Sequence, residues 1–277
     1  MRRRRGTARA AVAGALSAAT VRAAWTELER RTDAQQLAGD RWIRANYRDR
    51  QVSLLLGPAV GVGALAGLAG AVPATRRAAF LAVAGAAIIG GYDDLYGDQH
   101  ARGLGGHARA LRSGRVTTGM VKLVTLTGTA AVAATIRYRK PVDIAIGTVL
   151  VAGGANLVNL FDLRPGRALK VTVATAAVLS RAGSRETRAV AAVAAGAALA
   201  ALPADLGEQA MLGDCGAGTL GALLGWAAGM SGPRARRAVL AAGVVALTVA
   251  SERVSFSDVI ERNRTLRTLD RVGRHRP

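Results

Sequence analysis

The sequence has little of the chemistry on which disulfide-bonded and zinc proteins depend. Its 277 residues include one cysteine, Cys215, and three histidines. A single cysteine can form neither an intramolecular disulfide nor a thiolate metal cluster. His100, His107 and His275 lack the spacing of a zinc site. The sequence therefore excludes these two classes of site.

Aromatic residues are equally scarce, with three Phe, three Trp and four Tyr. The formal net charge of +20 suits either nucleic acid or an anionic membrane surface. Nucleic-acid binding calls for aromatic stacking beside a continuous basic face, whereas the charges here form short clusters between apolar runs. Arginine flanking membrane segments is the simpler interpretation. We therefore predict a membrane as partner, and no nucleic acid.

Small apolar residues are abundant, since apolar types make up 51% of the chain and there are 34 glycines. Small side chains let helices approach closely in lipid, and no strand-like alternation competes with a helical interpretation. We predict an all-α, polytopic transmembrane helix bundle of about 8–9 spans in the cytoplasmic membrane. The eight main segments are 52–72, 78–92, 116–136, 142–160, 168–179, 189–202, 216–230 and 238–250. A ninth, 8–24, is weaker because it contains Arg22.

Alternating connections divide the loops into two sets. One set comprises 26–51, 93–115, 161–170, 203–214 and the chain after Ser251, and it holds every acidic residue except Asp143 and Glu186. We predict that this set forms the working face of a membrane domain covering residues 1–251. Residues 252–277 form a second, basic segment, which we predict to be an amphipathic helix on the membrane surface. Its apolar face comprises Val259, Ile260, Leu266, Leu269 and Val272.

The strongest local pattern is Gly90-Gly91-Tyr92-Asp93-Asp94, at the end of a predicted span. Adjacent carboxylates at a membrane boundary are costly unless they are solvated, paired or bound to a cation. Hard divalent cations prefer carboxylate oxygens, so the pair is a candidate metal or general-base site. A simply solvated helix end stays open as the alternative.

Two further patterns lie on the same predicted face. Asn156, Asn159 and Asp162 recur every three residues on one helical face, and Arg164 and Arg167 follow. This pattern favours a ligand site, with hydrogen bonding between helices as the alternative. The third pattern is a glycine-rich turn, 213–216, which opens a helix. Its N–H groups can meet a phosphate and its aspartate, Asp214, can hold the associated metal.

Basic residues accompany these acids on the predicted working face. Lys122 and His107 follow the Asp pair, and Asn46 and Arg48 lie in the basic loop 41–50. A diphosphate substrate requires this combination, with a metal on some oxygens and Arg or Lys on others. Arginine attracted to anionic lipid is the alternative for any single basic residue.

In order and spacing over residues 42–230, these motifs resemble the polyprenyl-phosphate N-acetylhexosamine-1-phosphate transferases. The matching pieces are Asp93-Asp94, Asn156-x-x-Asn159-Leu160-x-Asp162, Gly213-Asp214-x-Gly216 and the Asn46-Tyr47-Arg48 loop. The resemblance implies a cytoplasmic active site that uses Mg²⁺, with Mn²⁺ as a substitute. It also implies a UDP-sugar donor, a polyprenyl phosphate acceptor and release of UMP, as in cell-envelope glycan synthesis.

The resemblance implies roles for individual residues. Asp93, Asp94 and Asp162 correspond to catalytic positions, and Asp214 and Asp94 to metal-binding ones. Asp93 matches the carboxylate that positions or deprotonates the lipid phosphate. The residues expected to bind substrate are Asn46, Arg48, His107, Lys122, Asn156, Asn159, Arg164 and Arg167.

The chain also departs from the family pattern. The histidine-rich loop before the last helix is missing, Pro165 stands where a second Asp is usual, and Ala217 replaces the usual Ser. A non-catalytic relative that binds polyprenyl phosphate or a nucleotide sugar is therefore a second hypothesis. A transporter is a third, but it calls for repeated halves, and the sequence has no convincing repeat. The sequence does not decide whether the protein forms a homodimer.

Overall fold

The computed structural model describes residues 2–33, 40–71, 76–97 and 103–274. Within these ranges the chain forms twelve α-helices, one short 3-10 helix (Asp40–Trp42) and one β-hairpin, so the predicted all-α class is confirmed. The hairpin pairs β1 (Ile43–Ala45) antiparallel with β2 (Gln51–Ser53). The helices are α1 (Arg2–Asp33), α2 (Leu56–Ala71), α3 (Arg76–Tyr96), α4 (Gly103–Arg112), α5 (Thr118–Arg137), α6 (Pro141–Phe161), α7 (Arg167–Ala182), α8 (Arg185–Leu206), α9 (Gly213–Gly229), α10 (Arg234–Ser251), α11 (Phe256–Arg262) and α12 (Arg264–Arg271).

Glycine allows the central helices to pack with their backbones in contact. Where α6 crosses α9, a Cβ added to Gly221 would collide with the carbonyl oxygen of Gly154, and one on Gly225 with that of Leu150. The crossing of α1 and α8 is similar, because Gly14 and Gly196 face each other. Small residues therefore bring these helices together, as the composition predicted.

The ninth helix is the centre of the bundle. It packs against α2, α3, α6, α7 and α8, and from Cys215 to Gly229 each of its residues is buried. The helix of the weak first segment, α1, packs along α2 and α8, with Ser17 and Val21 fully buried. The segment that contains Arg22 is thus an integral part of the bundle.

Four described helices are both long and apolar enough to cross a membrane, namely α3, α5, α6 and α8. A fifth candidate is α10 together with α11, which are bent by 89° at the break between them. By length and composition the protein is therefore a helical membrane protein with four to five candidate spans, fewer than the 8–9 predicted. The shortfall has two causes, because α2 and α7 have 16 residues each and α9 has 17, whereas α1 has 32 residues but is rich in arginine.

Candidate functional site

The predicted working-face loops meet at one end of the bundle. The hairpin is tied to the chain before α9 by the N–H of Met211, which donates to the carbonyl oxygen of Ser53 at 2.9 Å. It is tied to α3 by Arg44, whose Nη2 donates to the carbonyl oxygen of Asp94 at 2.5 Å. These contacts place residues from three distant parts of the chain around one entrance.

Asp94 connects the end of α3 to the beginning of α9. Its carboxylate accepts the N–H of Asp214 at 2.8 Å and that of Cys215 at 2.9 Å. A carboxylate at this position satisfies N–H groups that have no partner within the helix and complements the helix dipole. Gly213 has φ of +60°, and an added Cβ would lie against the Asp94 carboxylate. Glycine at position 213 therefore allows the Asp94 carboxylate to approach the beginning of α9.

Asp93 and Asp214 share one cation, the ammonium of Lys122 on α5. Lys122 Nζ lies 2.5 Å from Asp214 Oδ1 and 3.3 Å from Asp93 Oδ2. The three side chains are only 20%, 22% and 14% exposed, respectively, so water screens the contacts weakly. The carboxyl groups of Asp93 and Asp214 also form a side-chain hydrogen bond with each other, so the two acids and Lys122 form one compact cluster.

Asp162 completes the set of acids that the sequence motifs predicted. It caps the C-terminus of α6, where its N–H donates to the carbonyl oxygen of Asn159 at 3.0 Å. Burial and the negative charges of Asp205, Asp214 and Asp94 raise the pKa of Asp162 well above its usual value, although the N–H of Gly213 opposes this. The N–H of Gly213 donates to the Asp162 carboxylate and the N–H groups of Asp214 and Cys215 donate to Asp94, so the three predicted acidic loops meet at the beginning of α9.

A cavity of about 500 Å³ opens beside Asp162. Three of its acidic lining residues are Asp162, Asp205 and Glu208, and Arg164 supplies a positive charge. The remaining lining residues are Ala45, Asn46, Tyr47, Val52, Leu163, Pro165, Ala210, Met211 and Ser257. The volume is within the range of small-molecule sites.

Asp205 and Glu208 are site residues that the sequence motifs did not single out. Asp205 is buried, and its Oδ2 accepts the N–H of Gly166 at 2.5 Å. Glu208 holds the hairpin, because it lies 3.2 Å from Arg48 and accepts from Asn46 at 2.8 Å. Their position in the acidic loop 203–214 was the only sequence feature that could have indicated them as site residues. No spacing distinguished them from the other acidic residues of the chain.

Some of the other predicted site residues line the cavity, and the rest lie on neighbouring helices. Asn46 and Arg164 line the cavity, and the Arg164 guanidinium lies 4.4 Å from the centroid of the Tyr47 ring. Asn156 and Asn159 are half-buried on α6. His107 lies in α4, but its side chain is outside the described part of the structure.

Arg167 was expected to bind substrate, but in the structure it contacts the C-terminal helices. Its side chain pairs with Asp270 of α12 at 2.9 Å, and it is not among the residues that line the cavity. Sequence spacing alone could not show this, because Asp270 is 103 residues away.

The carboxylates can hold a divalent cation only together with a further ligand. In the described ranges no three His, Cys, Asp or Glu side chains are grouped closely enough to hold a metal ion. Magnesium often takes one or two carboxylates, several waters and phosphate oxygens, so it does not require a complete protein cage. Asp214 could supply one such carboxylate and Asp162 or Asp94 the second, because each Asp94 oxygen accepts a single N–H group and retains a lone pair.

No model of a known protein family matches the chain. A search among curated proteins also finds no match.

Proposed function

We propose that the protein transfers a sugar-1-phosphate from a UDP-sugar to a polyprenyl phosphate at the cytoplasmic membrane face, with Mg²⁺ or Mn²⁺, in cell-envelope glycan synthesis. The observation that carries the proposal is the convergence of Asp93, Asp94, Asp162 and Asp214 from three distant loops. The resemblance of the sequence motifs to the polyprenyl-phosphate sugar-1-phosphate transferases supports the same function.

The chemistry is a single displacement at phosphorus. A lipid phosphate oxygen forms a bond to the β-phosphorus of the donor, and the bond from that phosphorus to the oxygen of UMP breaks. A bound divalent cation would neutralise negative charge on the diphosphate. Phosphates are already ionised near neutral pH, so the protein has little proton transfer to perform.

The residues of the chain then have distinct tasks. Asp214 and Asp162 would hold the cation, and Asp94 keeps Asp214 in place through the first N–H groups of α9. Lys122 can exchange a carboxylate oxygen for a phosphate oxygen, since both are good partners for an ammonium. Arg164 and Arg48 supply positive charge at the cavity and its rim.

We also propose that all nine helices of 16 residues or more, α1–α3 and α5–α10, cross the membrane. Helices of 16 or 17 residues extend only about 24–26 Å against a hydrocarbon core of about 30 Å. A buried helix such as α9 does not meet lipid, so its own composition need not be strongly apolar. A reporter fused after Arg76 tests this topology, because it should report the exterior. A cytoplasmic signal there would overturn the assignment.

A second candidate is a non-catalytic protein that binds polyprenyl phosphate or a nucleotide sugar and regulates envelope synthesis. The observation in its favour is that Lys122 already satisfies Asp93 and Asp214 within the protein. The missing histidine-rich loop points in the same direction.

One assay separates the two candidates. Purified protein is incubated with Mg²⁺, undecaprenyl phosphate and a panel of UDP-sugars, and UMP is measured. We expect UMP from at least one donor, and none from the Asp214→Ala variant. Measurable binding of lipid phosphate without UMP from any donor would favour the binding protein instead.

A further inference from the structure

The C-terminal residues 255–274, which we call the strap, hold the guanidinium of Arg167. Arg167 Nε and Nη2 donate to the two oxygens of Asp270 at 2.9 and 3.0 Å, and Nη1 donates to Ser257 Oγ at 2.8 Å. Arg167 and Asp270 are 3% and 4% exposed. All three nitrogens at the tip of Arg167 are thus committed to the strap in a bidentate geometry, which fixes orientation as well as distance.

The strap also contacts both ends of the loop that carries Asp162. We call residues 162–166 the α6–α7 loop, which Phe161 precedes and Arg167 follows. At its beginning, Phe256 stacks on Phe161 with 5.2 Å between ring centroids. At its end, Arg274 Nε donates to the carbonyl oxygen of Pro165 at 2.9 Å, while Arg274 Nη2 donates to Asp270 at 2.7 Å. The loop is therefore held at three separate points.

On its inner side the same loop is attached to α8. The N–H of Gly166, which has φ of +72°, donates to buried Asp205. Asp162 and Arg164 lie between this inner attachment and the outer one, and both line the cavity. Ser257 of the strap lines the cavity as well. The position of the strap and the shape of the cavity are thus linked by direct contacts.

From this geometry we propose that the strap sets the position of the α6–α7 loop over the cavity, with Asp270 as the positioning residue. The proposal goes beyond the transferase function and does not depend on which ligand enters the cavity. Arg167, expected from sequence to bind substrate, holds the strap.

Charge explains why Asp270 has this effect. Arg167 and Arg274 both donate to its carboxylate, and Lys170 donates to its carbonyl oxygen at 2.7 Å. Without the carboxylate, three cations would repel one another at close range, two of them directly beside the loop. The released guanidinium groups would then move away from one another. We expect the loop to lose its single position.

Spin labelling of the full-length protein tests the proposal. Leu163 in the α6–α7 loop is 57% exposed and can be replaced by cysteine for a nitroxide label, while native Cys215 is buried. Val142 at the beginning of α6 is 58% exposed and provides a distant reference label. We expect Asp270→Asn to shift the EPR spectrum of the label at position 163 toward faster motion and to leave that at 142 unchanged.

Matched variants separate positioning from general loosening. Asp258→Asn makes the same chemical change at an exposed strap residue and should leave the label at 163 unchanged. Asp270→Glu restores the charge and should restore the slow spectrum at least in part. If Asp270→Asn fails to fold, Arg167→Gln combined with Asp270→Asn removes both partners and serves in its place.

Two results would overturn the proposal. One is an unchanged spectrum at position 163 in folded Asp270→Asn protein, or in the double variant. The other is an equal gain of motion at positions 163 and 142, because this would show that Asp270 supports the whole bundle and not the loop in particular.

Discussion

Replacing Lys122 by methionine should strengthen the binding of a divalent cation while weakening turnover. Lys122 Nζ contacts Asp214, the carboxylate that we propose holds the cation, and also contacts Asp93. Methionine retains the length and apolar volume of the lysine stem but removes the charge. The ammonium can then no longer compete with the cation.

The size of the effect follows from the two contacts. At separations of 2.5 and 3.3 Å, each unit-charge pair has a gross attraction of roughly 5–7 kcal/mol at an effective dielectric constant of about 20. Desolvation and side-chain ordering cancel most of this, so a charge-assisted hydrogen bond contributes about 1.5–3 kcal/mol net. A cation bound to Asp214 has to displace only the contact between Lys122 and Asp214, at a cost of about 1.5–3 kcal/mol, so removal of the ammonium should tighten binding ~10- to 150-fold.

The affinity can be measured without any reaction. Mn²⁺ is titrated into the protein and free Mn²⁺ is followed by EPR. Lys122→Arg retains the positive charge and is the matched control, which should bind Mn²⁺ about as weakly as the native chain. The rate of UMP release by Lys122→Met should fall, since Lys122 is also expected to hold a phosphate of the substrate.

Three results would refute this reasoning. Equal or weaker Mn²⁺ binding by folded Lys122→Met would show that the ammonium does not compete with the cation. Tighter binding by Lys122→Arg as well would show that charge is not the cause. A complete lack of saturable binding in every form would remove the metal site itself.

Three further predictions follow from particular contacts. Asp214→Ala should reduce UMP release more than Asp93→Asn, because Asp214 is proposed to hold the cation whereas Asp93 supports Asp214 and Lys122 from beside it; a larger loss with Asp93→Asn would contradict the assignment. Gly90→Ala should lower the melting temperature by an amount equivalent to about 1–3 kcal/mol, because its Cβ would collide with the Asp214 backbone, whereas Gly128→Ala, which faces open space, should not. Burial alone would raise the pKa of Asp270, but hydrogen bonding from Arg167 and the charges of Arg274 and Arg167 hold it below its usual value. Docking of the strap should therefore persist from about pH 8 to about pH 5 and be lost only as pH falls below about 3.9; release measured by a strap label near neutral pH would refute this.

The positions of the helices could be predicted because each apolar segment is continuous in sequence. The nine segments predicted to be helical coincide with α1–α3 and α5–α10, and several helices extend beyond the predicted ends, as with 189–202 inside α8. The segment 52–72 is an exception, because its first residues belong to β2 and α2 begins only at Leu56. Alanine-rich sequence continues a helix without adding hydrophobicity, so hydropathy underestimates the length. The number of spans is harder to predict for the same reason, since a helix surrounded by protein need not be apolar enough to face lipid.

The candidate site was predictable only in part. Its four aspartates belong to short sequence motifs, and the glycines at the beginning of α9 indicate that another group approaches the backbone closely there. No motif indicated that Asp205 binds the N–H of Gly166, or that Lys122 joins Asp93 to Asp214. Such partners lie far away in sequence, and nothing in the spacing between them specifies the contact.

The sequence by itself determined that this protein is helical and has apolar helices suited to a membrane, and it predicted that most acidic residues share one face. These properties depend on composition and on local periodicity, which each segment carries independently. Only the tertiary structure decided that Asp94 caps α9 and that Arg167 holds the strap through Asp270. Each of these depends on which helices become neighbours. Which helices become neighbours depends on backbone contact at their glycines. Glycine has no side chain beyond hydrogen, so the sequence does not show which helix will pack against it.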